Sequence, residues 1–324
     1  MLLVHDAYRS SDLPRGGIAA IGNFDGVHRG QRELLELVRA RAAEVGQPSV
    51  AITFEPHPVA VLRPEAAPPR LTAPEVKERL LEAAGIDVLL VVRFTPDFSQ
   101  TPARVFVREF LHQRLGLAEI YVGSTFVFGH RREGDLALLR EMGEAFGFAV
   151  FGVDQVSWRG ERISSTRIRR ALSEGRAEDA AAMLGRPYTL GGIVVRGDRM
   201  GQRLGWPTIN LKTDDQLVPL DGVYACRATF PSFPATFAAV TNIGTRPTVY
   251  ENYQRVVESH ILDFQSDVYG ERVELAFHKR LREERMFPSV MDLSAQIGRD
   301  VEATRDHFAA RRGAEELAEE RREG

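Results

Sequence analysis

The sequence predicts two domains: an α/β domain with a doubly wound parallel sheet, followed by an antiparallel β-barrel with one closing helix. The chain has 324 residues, which is enough for two separate cores. In the first part, short apolar runs alternate with amphipathic helical patterns. In the second part, strand-like runs follow one another across turn-rich loops. Since the pattern changes at "AAMLGRPYTLGG", we predict domains over residues 1–186 and 187–324.

Five buried parallel strands are predicted in the first domain. Continuous apolar runs of this kind are typical of parallel strands that helices cover on both faces. Residues 31–45 carry apolar side chains three and four positions apart, which predicts an amphipathic helix between the first two strands. In such sheets, ligands bind outside the carboxyl ends of the strands. The predicted strands are residues 18–22, 49–54, 87–94, 118–123 and 148–153.

The second domain is predicted to be mostly antiparallel strands, with a helix at the end. Short runs of alternating apolar and polar residues, separated by turn signals, are typical of a barrel or sandwich. A helical pattern over about residues 289–309 then closes the domain. The predicted strands are residues 188–196, 222–230, 235–243, 256–264 and 272–281.

Composition excludes several classes of protein. The formal net charge is −3 and the pI is near 6.3, so no basic field attracts nucleic acid. The single cysteine, Cys226, excludes internal disulfides and is predicted to be a small buried apolar residue. No apolar run approaches the roughly 18 residues of a membrane span, and the N-terminus lacks a signal-peptide pattern. We expect a cytoplasmic monomer or transient homo-oligomer without nucleic-acid or membrane partners.

The segment "GNFDGVHRGQ", residues 22–31, follows the first predicted strand and precedes a helix. Its glycines allow tight turns and let a ligand approach the backbone closely. The free N–H groups and the positive dipole end of the following helix favour a phosphate. His28 stands just before that helix and is able to donate a hydrogen bond to a phosphoryl oxygen. Alone, this motif is weak and favours a structural glycine-rich strand-to-helix turn with a surface histidine.

Two further segments favour the phosphate-binding interpretation. His57 in "TFEPHP" follows the second strand and is held between two prolines at the same edge of the sheet. In "ISSTRIRRAL", three hydroxyl side chains at 164–166 precede a helix whose first turn carries Arg167 and Arg169. A helix cap explains one hydroxyl but not three, and positive charge in the first turn opposes the helix dipole. A polyphosphate ligand explains both features.

A second candidate site lies in "GGIVVRGDRMGQRLGWPTINL", residues 191–211. Its glycine density predicts a mobile flap whose backbone N–H groups wrap phosphates. In "WPTIN", Thr208 and Asn210 alternate onto one face and offer neutral oxygen ligands suited to Mg²⁺ shared with phosphates. In "VVESHILDF", Glu258 shares a face with His260, Leu262 and Phe264, so we predict that this face is buried or lines a pocket. A carboxylate so placed is a candidate general base.

Taken in order along the chain, these motifs resemble the bacterial bifunctional riboflavin kinase/FAD synthetases. The first half resembles their FMN adenylyltransferase module, a member of the nucleotidyltransferases with an H-x-G-H loop and an I-S-S-T-x-x-R segment. The resemblance implies that FMN attacks the α-phosphate of ATP, giving FAD and pyrophosphate. By resemblance, His28 is catalytic and His57 and Thr125 bind FMN. The implied ATP-binding residues are Gly22, Phe24, Asp25, Gly26, His28, Gly30, Gln31, Ser165, Thr166 and Arg169.

The second half resembles the riboflavin kinase module of the same family. The resemblance rests on the P-T-x-N segment, "LDGVYACRA", "TNIGTRPT", "VESHILDF" and "HKRLREERMF". It implies that Glu258 deprotonates the ribityl 5′-hydroxyl of riboflavin and that Thr208 and Asn210 bind Mg²⁺ with ATP. The implied substrates and products are ATP, riboflavin, FMN and FAD. The other implied kinase residues are Gly197, Gly201, Gly205 and Asn242 for ATP, and Arg282 and Phe287 for the flavin.

The adenylyltransferase half departs from the family pattern at two places. Gln31 stands where the family has a second loop histidine, and glutamine keeps an N–H donor but is never cationic. Thr125 stands where the family usually has an amide or carboxylate, and Val127 nearby forms no hydrogen bond. Two alternatives to the bifunctional enzyme therefore stay open. One is a riboflavin kinase with a weakened or inactive first domain, and the other is a non-catalytic flavin-binding regulator.

Overall fold

The computed structural model describes residues 1–197, 201, 204–213, 215–246 and 254–323, with the side chains of 246, 254 and 312–323 left aside. The chain forms two compact units, Met1–Ser165 and Thr166–Gly324. This division comes before the predicted domain boundary at 186/187. It does so because a helix over Ala177–Leu184 packs on strands of the second unit.

The first unit contains a six-stranded, fully parallel sheet in the order β1-β4-β3-β2-β5-β6. All five predicted strands are present. The sixth, β1, was not predicted because "LLVH" is short, lies at the edge and pairs with β4 alone. Strand β2 has β3 on one side and β5 on the other, so the strand order reverses there. The strands are β1 Leu2–His5, β2 Ile18–Ile21, β3 Ser49–Glu55, β4 Val88–Arg93, β5 Glu119–Gly123 and β6 Ala149–Val153.

Helices cover both faces of this sheet, which confirms the doubly wound class. Helices α1 and α3 pack through Leu35, Val38 and Leu81 on one face. Helix α5 and a π-helical segment, Phe106–Arg114, pack on the other through Phe110 and Leu139. Successive residues of β2 and β3 alternate between the two cores. The α-helices are α1 Arg29–Val45, α2 Pro58–Leu62, α3 Pro74–Ala83, α4 Ala103–Val105 and α5 Leu136–Phe146, and a two-stranded hairpin follows at β7 Ser157–Trp158 and β8 Glu161–Arg162.

The second unit is built on a closed six-stranded antiparallel barrel in the order β10-β13-β12-β11-β14-β9. The five predicted strands are confirmed. The structure has one further strand, β10, which was not predicted. It begins within the predicted metal-binding segment "WPTIN", where the proline and threonine obscure the start of the strand pattern. The elements are α6 Ser165–Ser173, α7 Ala177–Leu184, β9 Tyr188–Val195, β10 Ile209–Thr213, β11 Gly222–Thr229, β12 Thr236–Arg246, β13 Gln254–Ile261, β14 Arg272–Arg282 and α8 Val290–Glu323.

The two faces of β13 differ in burial. Val257, Ser259 and Ile261 are the buried residues that face inward, whereas Glu258 and His260 lie half-buried on the outer face. Alternation gives the period of a strand but not which face is inside. Cys226 is fully buried, as predicted, and burial raises the pKa of its thiol to about 12.

Helix α8 packs on the outside of the barrel and brings two histidines together. The rings of His278 on β14 and His307 on α8 have centroids 6.1 Å apart, and Phe308 lies against both. His278 Nδ1 and His307 Nε2 are buried and have no hydrogen-bond partner among the described residues. Burial, with the nearby Arg311, lowers the pKa of His278 to about 4 and also lowers the pKa of His307.

We expect acidification to destabilise the packing of α8. The folded state keeps His278 neutral down to about pH 4, while the unfolded chain binds a proton near the ordinary value of 6.5. The unfolded state therefore gains protons first, and stability falls as the pH drops through that window. In His278→Phe, the thermal unfolding midpoint should fall less between about pH 7 and about pH 5 than in the wild type. Equal falls in the two proteins would contradict the prediction.

Candidate active sites

The first candidate site lies at the carboxyl edge of the parallel sheet, where the strand order reverses. The loop after β2 carries residues 22–28, and the loop after β3 carries His57. A crevice forms at such a reversal because the connections from neighbouring strands lead to opposite faces of the sheet. The topology therefore confirms that the loop of residues 22–28, called the phosphate loop here, lies at this edge, and its binding of phosphate stays a prediction.

The phosphate loop is tightly wound and largely buried. Gly26 has φ of 95°, a conformation that glycine adopts without strain. Phe24 and Val27 also have positive φ, 47° and 40°, and their side chains are almost fully buried. Packing of these two side chains holds the backbone in a conformation that non-glycine residues rarely adopt. Phe24 thus acts as an anchor of the loop and packs beside Gly22.

His28 and Gln31 form a reciprocal cap at the start of α1. The backbone N–H of Gln31 donates to His28 Nδ1 at 3.3 Å, and the N–H of His28 donates to Gln31 Oε1 at 3.0 Å. This is a capping box in which a histidine replaces the usual serine or threonine. Because Nδ1 accepts a hydrogen bond, neutral His28 carries its proton on Nε2. The same contact fixes the Gln31 amide, so that its NH2 group faces away from the cap.

Asp25 serves as an internal clip of the loop. Its carboxylate accepts hydrogen bonds from the N–H groups of Leu71, at 3.0 Å, and Thr72, at 3.1 Å. The Thr72 hydroxyl accepts from the N–H of Gly26 at 3.0 Å. The backbone carbonyl of Asp25 accepts from Ser165 Oγ at 2.8 Å. These contacts assign a structural task to a carboxylate that the resemblance had placed among the ATP ligands.

His57 caps the short helix α2 and contacts the first loop. Its Nδ1 accepts from the N–H of Val59 at 3.2 Å, and its Nε2 lies 3.4 Å from the side-chain amide of Asn23. Since Nδ1 is the acceptor, the proton of neutral His57 lies on Nε2, and the Asn23 carboxamide oxygen is the group that fits this contact. Asn23 thus joins the two loops. Sequence reasoning missed it, although it lies inside the quoted motif.

The remaining predicted residues of this site are spread over other segments. Gly30 lies in the first turn of α1, beside the His28 ring. Thr125 follows β5, is exposed, and its hydroxyl accepts from Gln155 Nε2 at 2.9 Å. Thr166 and Arg169 lie in α6, which begins at Ser165 and belongs, from Thr166 onward, to the second unit.

The second candidate site is a row of polar residues across three neighbouring barrel strands. Glu258 on β13 pairs with Asn210 on β10 and, on its other side, with Asn242 on β12. Residues directly opposite in antiparallel strands project to the same face, so all three side chains stand together on the outer face of the barrel. Each of the three is half-buried. Three residues distant in the sequence thus meet in one row.

Two glycines lie directly against this row. A side chain on Gly197 would begin 2.2 Å from Asn210 Nδ2, and one on Gly201 would begin 2.4 Å from the Trp206 carbonyl oxygen and 3.0 Å from Thr208 Oγ1. Position 201 therefore requires glycine because a Cβ would meet the backbone of Trp206, and a Cβ at position 197 would displace the Asn210 side chain. Gly205, with φ of 82°, forms the turn before Thr208. The rest of the predicted glycine flap, residues 198–200 and 202–203, lies outside the described residues.

Trp206 and His260 support the same segment and were not predicted as site residues. The His260 Nδ1 lies 2.8 Å from the carbonyl oxygen of Pro207, which makes Nδ1 the protonated nitrogen. The Trp206 ring packs edge-on against His260 at 5.4 Å, and its Nε1 donates to Ser294 Oγ at 3.1 Å. These contacts fix the backbone that presents Thr208. The alternation of His260 with Glu258 was the only sequence signal.

Arg282 and Phe287, the predicted flavin-binding pair, lie where β14 leads towards α8. Arg282 forms a multiple ion pair with the buried carboxylate of Asp300, with Nη2 2.8 Å from Oδ2. The guanidinium carbon of Arg282 lies 5.6 Å from the centre of the Phe287 ring, and that of Arg285 lies 5.0 Å from it. Arg282 thereby joins the barrel to α8, and Phe287 lies half-buried beside it.

Neutral oxygens dominate the candidate metal ligands of the barrel. Within the described part of the chain, no group of three or more His, Cys, Asp or Glu side chains could hold a metal ion. A hard cation such as Mg²⁺ is also bound by hydroxyl and amide oxygens together with substrate phosphates. Thr208 and Asn210 fit that pattern, since the glycine backbone packs closely beside both.

Among the helices of the described residues, none is long and apolar enough to cross a membrane.

The comparisons with known proteins define a transferase with one enzyme domain in each half of the chain. Residues 10–167 match the FAD synthetase family and residues 184–308 match the riboflavin kinase family. The chain belongs to the bifunctional riboflavin kinase/FMN adenylyltransferases. Proteins of that name from Escherichia coli K12 and Pseudomonas fluorescens are 37% and 38% identical to it. The alignments cover 95% and 94% of this chain, and 98% and 97% of theirs.

A solved structure matches most of this chain. The crystal structure described as that of a macrolide-efflux protein from Streptococcus pneumoniae superposes with a TM-score of 0.85 at 28% identity. The match covers 94% of this chain and 99% of that one. The chain thus contains both an FAD synthetase domain and a riboflavin kinase domain in a fold that a solved structure also shows.

The hydrogen bonds of the Asp25 carboxylate predict that removing it lowers the stability of the first unit alone. Asp25→Ala leaves the N–H groups of Leu71 and Thr72 without their buried acceptor, which should cost about 1–3 kcal/mol. Hydrogen exchange measured by mass spectrometry should become faster in peptides of Met1–Ser165 and stay unchanged in barrel peptides. Unchanged exchange in the first unit, combined with a raised KM for ATP, would instead make Asp25 a nucleotide ligand.

Proposed function

We propose that the two units catalyse successive steps: the barrel phosphorylates riboflavin to FMN, and the α/β unit adenylylates FMN to FAD. The observation that carries the proposal is the row Asn210–Glu258–Asn242 on the barrel, with Thr208 beside it. A carboxylate between two amides, next to glycines whose backbone N–H groups are able to bind phosphates, provides a base and a phosphate-binding surface in one place.

In the kinase reaction, Glu258 is the general base. It takes the proton of the ribityl 5′-hydroxyl of riboflavin as that oxygen attacks the γ-phosphorus of ATP. The bond from the γ-phosphorus to the bridging oxygen breaks, and ADP leaves. Asn242, opposite Glu258 in the register, and the backbone of Gly197, Gly201 and Gly205 line the nucleotide side. Phe287, between two guanidinium groups, borders the flavin side.

Thr208 and Asn210 are the residues that would hold Mg²⁺ together with ATP phosphates. When bound, the ion neutralises the charge of the phosphate oxygens. The protein keeps both ligands in place through the strand pairing of Asn210 and through the His260 contact to Pro207. The Thr208 hydroxyl and the Asn210 amide are neutral. They therefore add no negative charge to a site where Glu258 and the phosphates of ATP would meet.

In the adenylyltransferase reaction, an FMN phosphate oxygen attacks the α-phosphorus of ATP. The bond between the α-phosphorus and its bridging oxygen breaks, and pyrophosphate leaves. No covalent intermediate with the enzyme is required, so catalysis depends on positioning and on stabilising charge at the phosphoryl oxygens. The Nε2–H of His28, the first turn of α1 and Ser165, whose Oγ donates to the Asp25 carbonyl, supply this stabilisation. His57 orients the FMN.

Gln31 is compatible with this chemistry because its Oε1 accepts from the His28 N–H in the cap, which leaves the NH2 group of the side chain as a donor. A neutral donor stabilises a phosphoryl oxygen less than a cation does, and the loss of one such donor costs about 100- to 1000-fold in rate. Replacement of the donor by another donor should cost less. Thr125, exposed and bonded to Gln155, favours weaker FMN binding, which keeps a kinase with a slow first domain as the second candidate.

The variant Glu258→Gln separates the two activities. Its riboflavin phosphorylation should fall by about 100- to 10,000-fold, because the general base is lost while the shape of the side chain is kept. Formation of FAD from added FMN should continue at the wild-type rate, since that reaction takes place in the other unit. Glu302→Gln, exposed on α8, is the matched control. Near-normal kinase activity in Glu258→Gln, measured by HPLC of the flavins, would exclude Glu258 as the base.

A further inference from the structure

The first unit contains a buried lysine that the proposed chemistry does not use. Lys77 on α3 is 4% exposed. An isolated ammonium group is costly to bury, so its position requires partners that offset the lost hydration. Its Nζ forms an ion pair with Glu55 Oε1 and lies 3.4 Å from the backbone carbonyl oxygen of Asn23.

The two partners of Lys77 belong to the two loops of the adenylyltransferase site. Asn23 is the second residue after β2, inside the phosphate loop. Glu55 is the last residue of β3 and precedes the Pro56–His57 segment. The second oxygen of Glu55 is 3.4 Å from Arg70 Nη2. The Lys77 ammonium group thus links the carboxyl ends of β2 and β3, next to the loops that follow these strands.

The bridge extends to His57 through Asn23. The Asn23 carbonyl oxygen also accepts from Thr53 Oγ1 at 3.2 Å, so its peptide is held by a cation and a hydroxyl together. The side chain of Asn23 contacts His57 Nε2 at 3.4 Å. Because the peptide is fixed, the direction of the Asn23 side chain is limited to a few rotamers, and the His57 ring is oriented by it.

We propose that Lys77 is a positioning residue of adenylyl transfer, which holds Asn23 and Glu55 so that His57 faces the FMN. The inference rests on the proposed function of this site. Lys77 does not touch the reacting atoms and exchanges no proton in the reaction. A role limited to neutralising Glu55 would affect the stability of the unit alone, whereas positioning also affects the binding of FMN.

The test compares Lys77→Met, Lys77→Arg and the exposed control Arg79→Met, which also exchanges a cation on α3 for methionine. A hydrogen bond to a charged group contributes enough for its loss to raise the KM for FMN by about tenfold or more. We expect that rise in Lys77→Met, with kcat changed less than KM. The KM for FMN of Lys77→Arg should lie between those of the wild type and Lys77→Met. The KM for FMN of Arg79→Met should equal that of the wild type. Riboflavin phosphorylation by the barrel unit reports intact folding in every variant.

The double variant Lys77→Met/Glu55→Gln separates positioning from charge balance. Lys77→Met leaves the half-buried Glu55 carboxylate with Arg70 alone as its ion partner, and the double variant removes that charge, so the unfolding midpoint should recover relative to Lys77→Met. The KM for FMN should stay raised, because the Asn23 carbonyl has lost the ammonium and keeps the Thr53 hydroxyl as a side-chain donor. A KM restored to the wild-type value, or an unchanged KM in Lys77→Met, would overturn the inference. Absence of FAD in the wild type would be a failure of the proposed function instead.

Discussion

The hydrogen-bond register between neighbouring strands is the constraint on which both candidate sites depend. In the parallel sheet, pairing of β2 with β3 on one side and β5 on the other brings the loop ends to one edge. In the barrel, pairing of β13 with both β10 and β12 puts Asn210, Glu258 and Asn242 in one row. A slip of one residue in β13 would turn Glu258 into the barrel and Val257 or Ser259 outward. The chemistry therefore depends on the packing of the barrel interior, which fixes the register.

The strand pairing brings the site loops close to one another, and buried polar contacts then hold these loops in position. Asp25 binds the backbone N–H groups of an adjacent turn, and Lys77 joins the ends of β2 and β3. In the barrel, His260 holds Pro207, and Asp300 holds Arg282. Each contact satisfies a polar group that would be costly to bury alone, so each tends to fix a single local conformation. The residues proposed to touch substrate are positioned by others that do not touch it.

The sequence predicts the classes of both units and most of their strands, because apolar runs and alternation report directly on burial. The prediction fails where a strand has a weak apolar pattern, or where the pattern does not show which face is buried. The edge strand β1 has one neighbour, and β10 begins within a proline-containing turn. Alternation along β13 did not show which face lies inside the barrel, and Leu262 is buried beneath α8 rather than in the interior. Asn23, Lys77 and Trp206 act through contacts between distant residues, which a single sequence does not reveal.

Formation of FAD from FMN by the purified chain is the measurement that tests the account most directly. The capping box of His28 and Gln31 retains a donor on each side chain, and so the account predicts adenylyl transfer despite the glutamine. Incubation with ATP, Mg²⁺ and FMN, followed by HPLC, should show FAD and pyrophosphate appearing in equal amounts. FMN that persists unchanged, while riboflavin is phosphorylated by the same preparation, would contradict the account and leave a kinase with an inactive first unit.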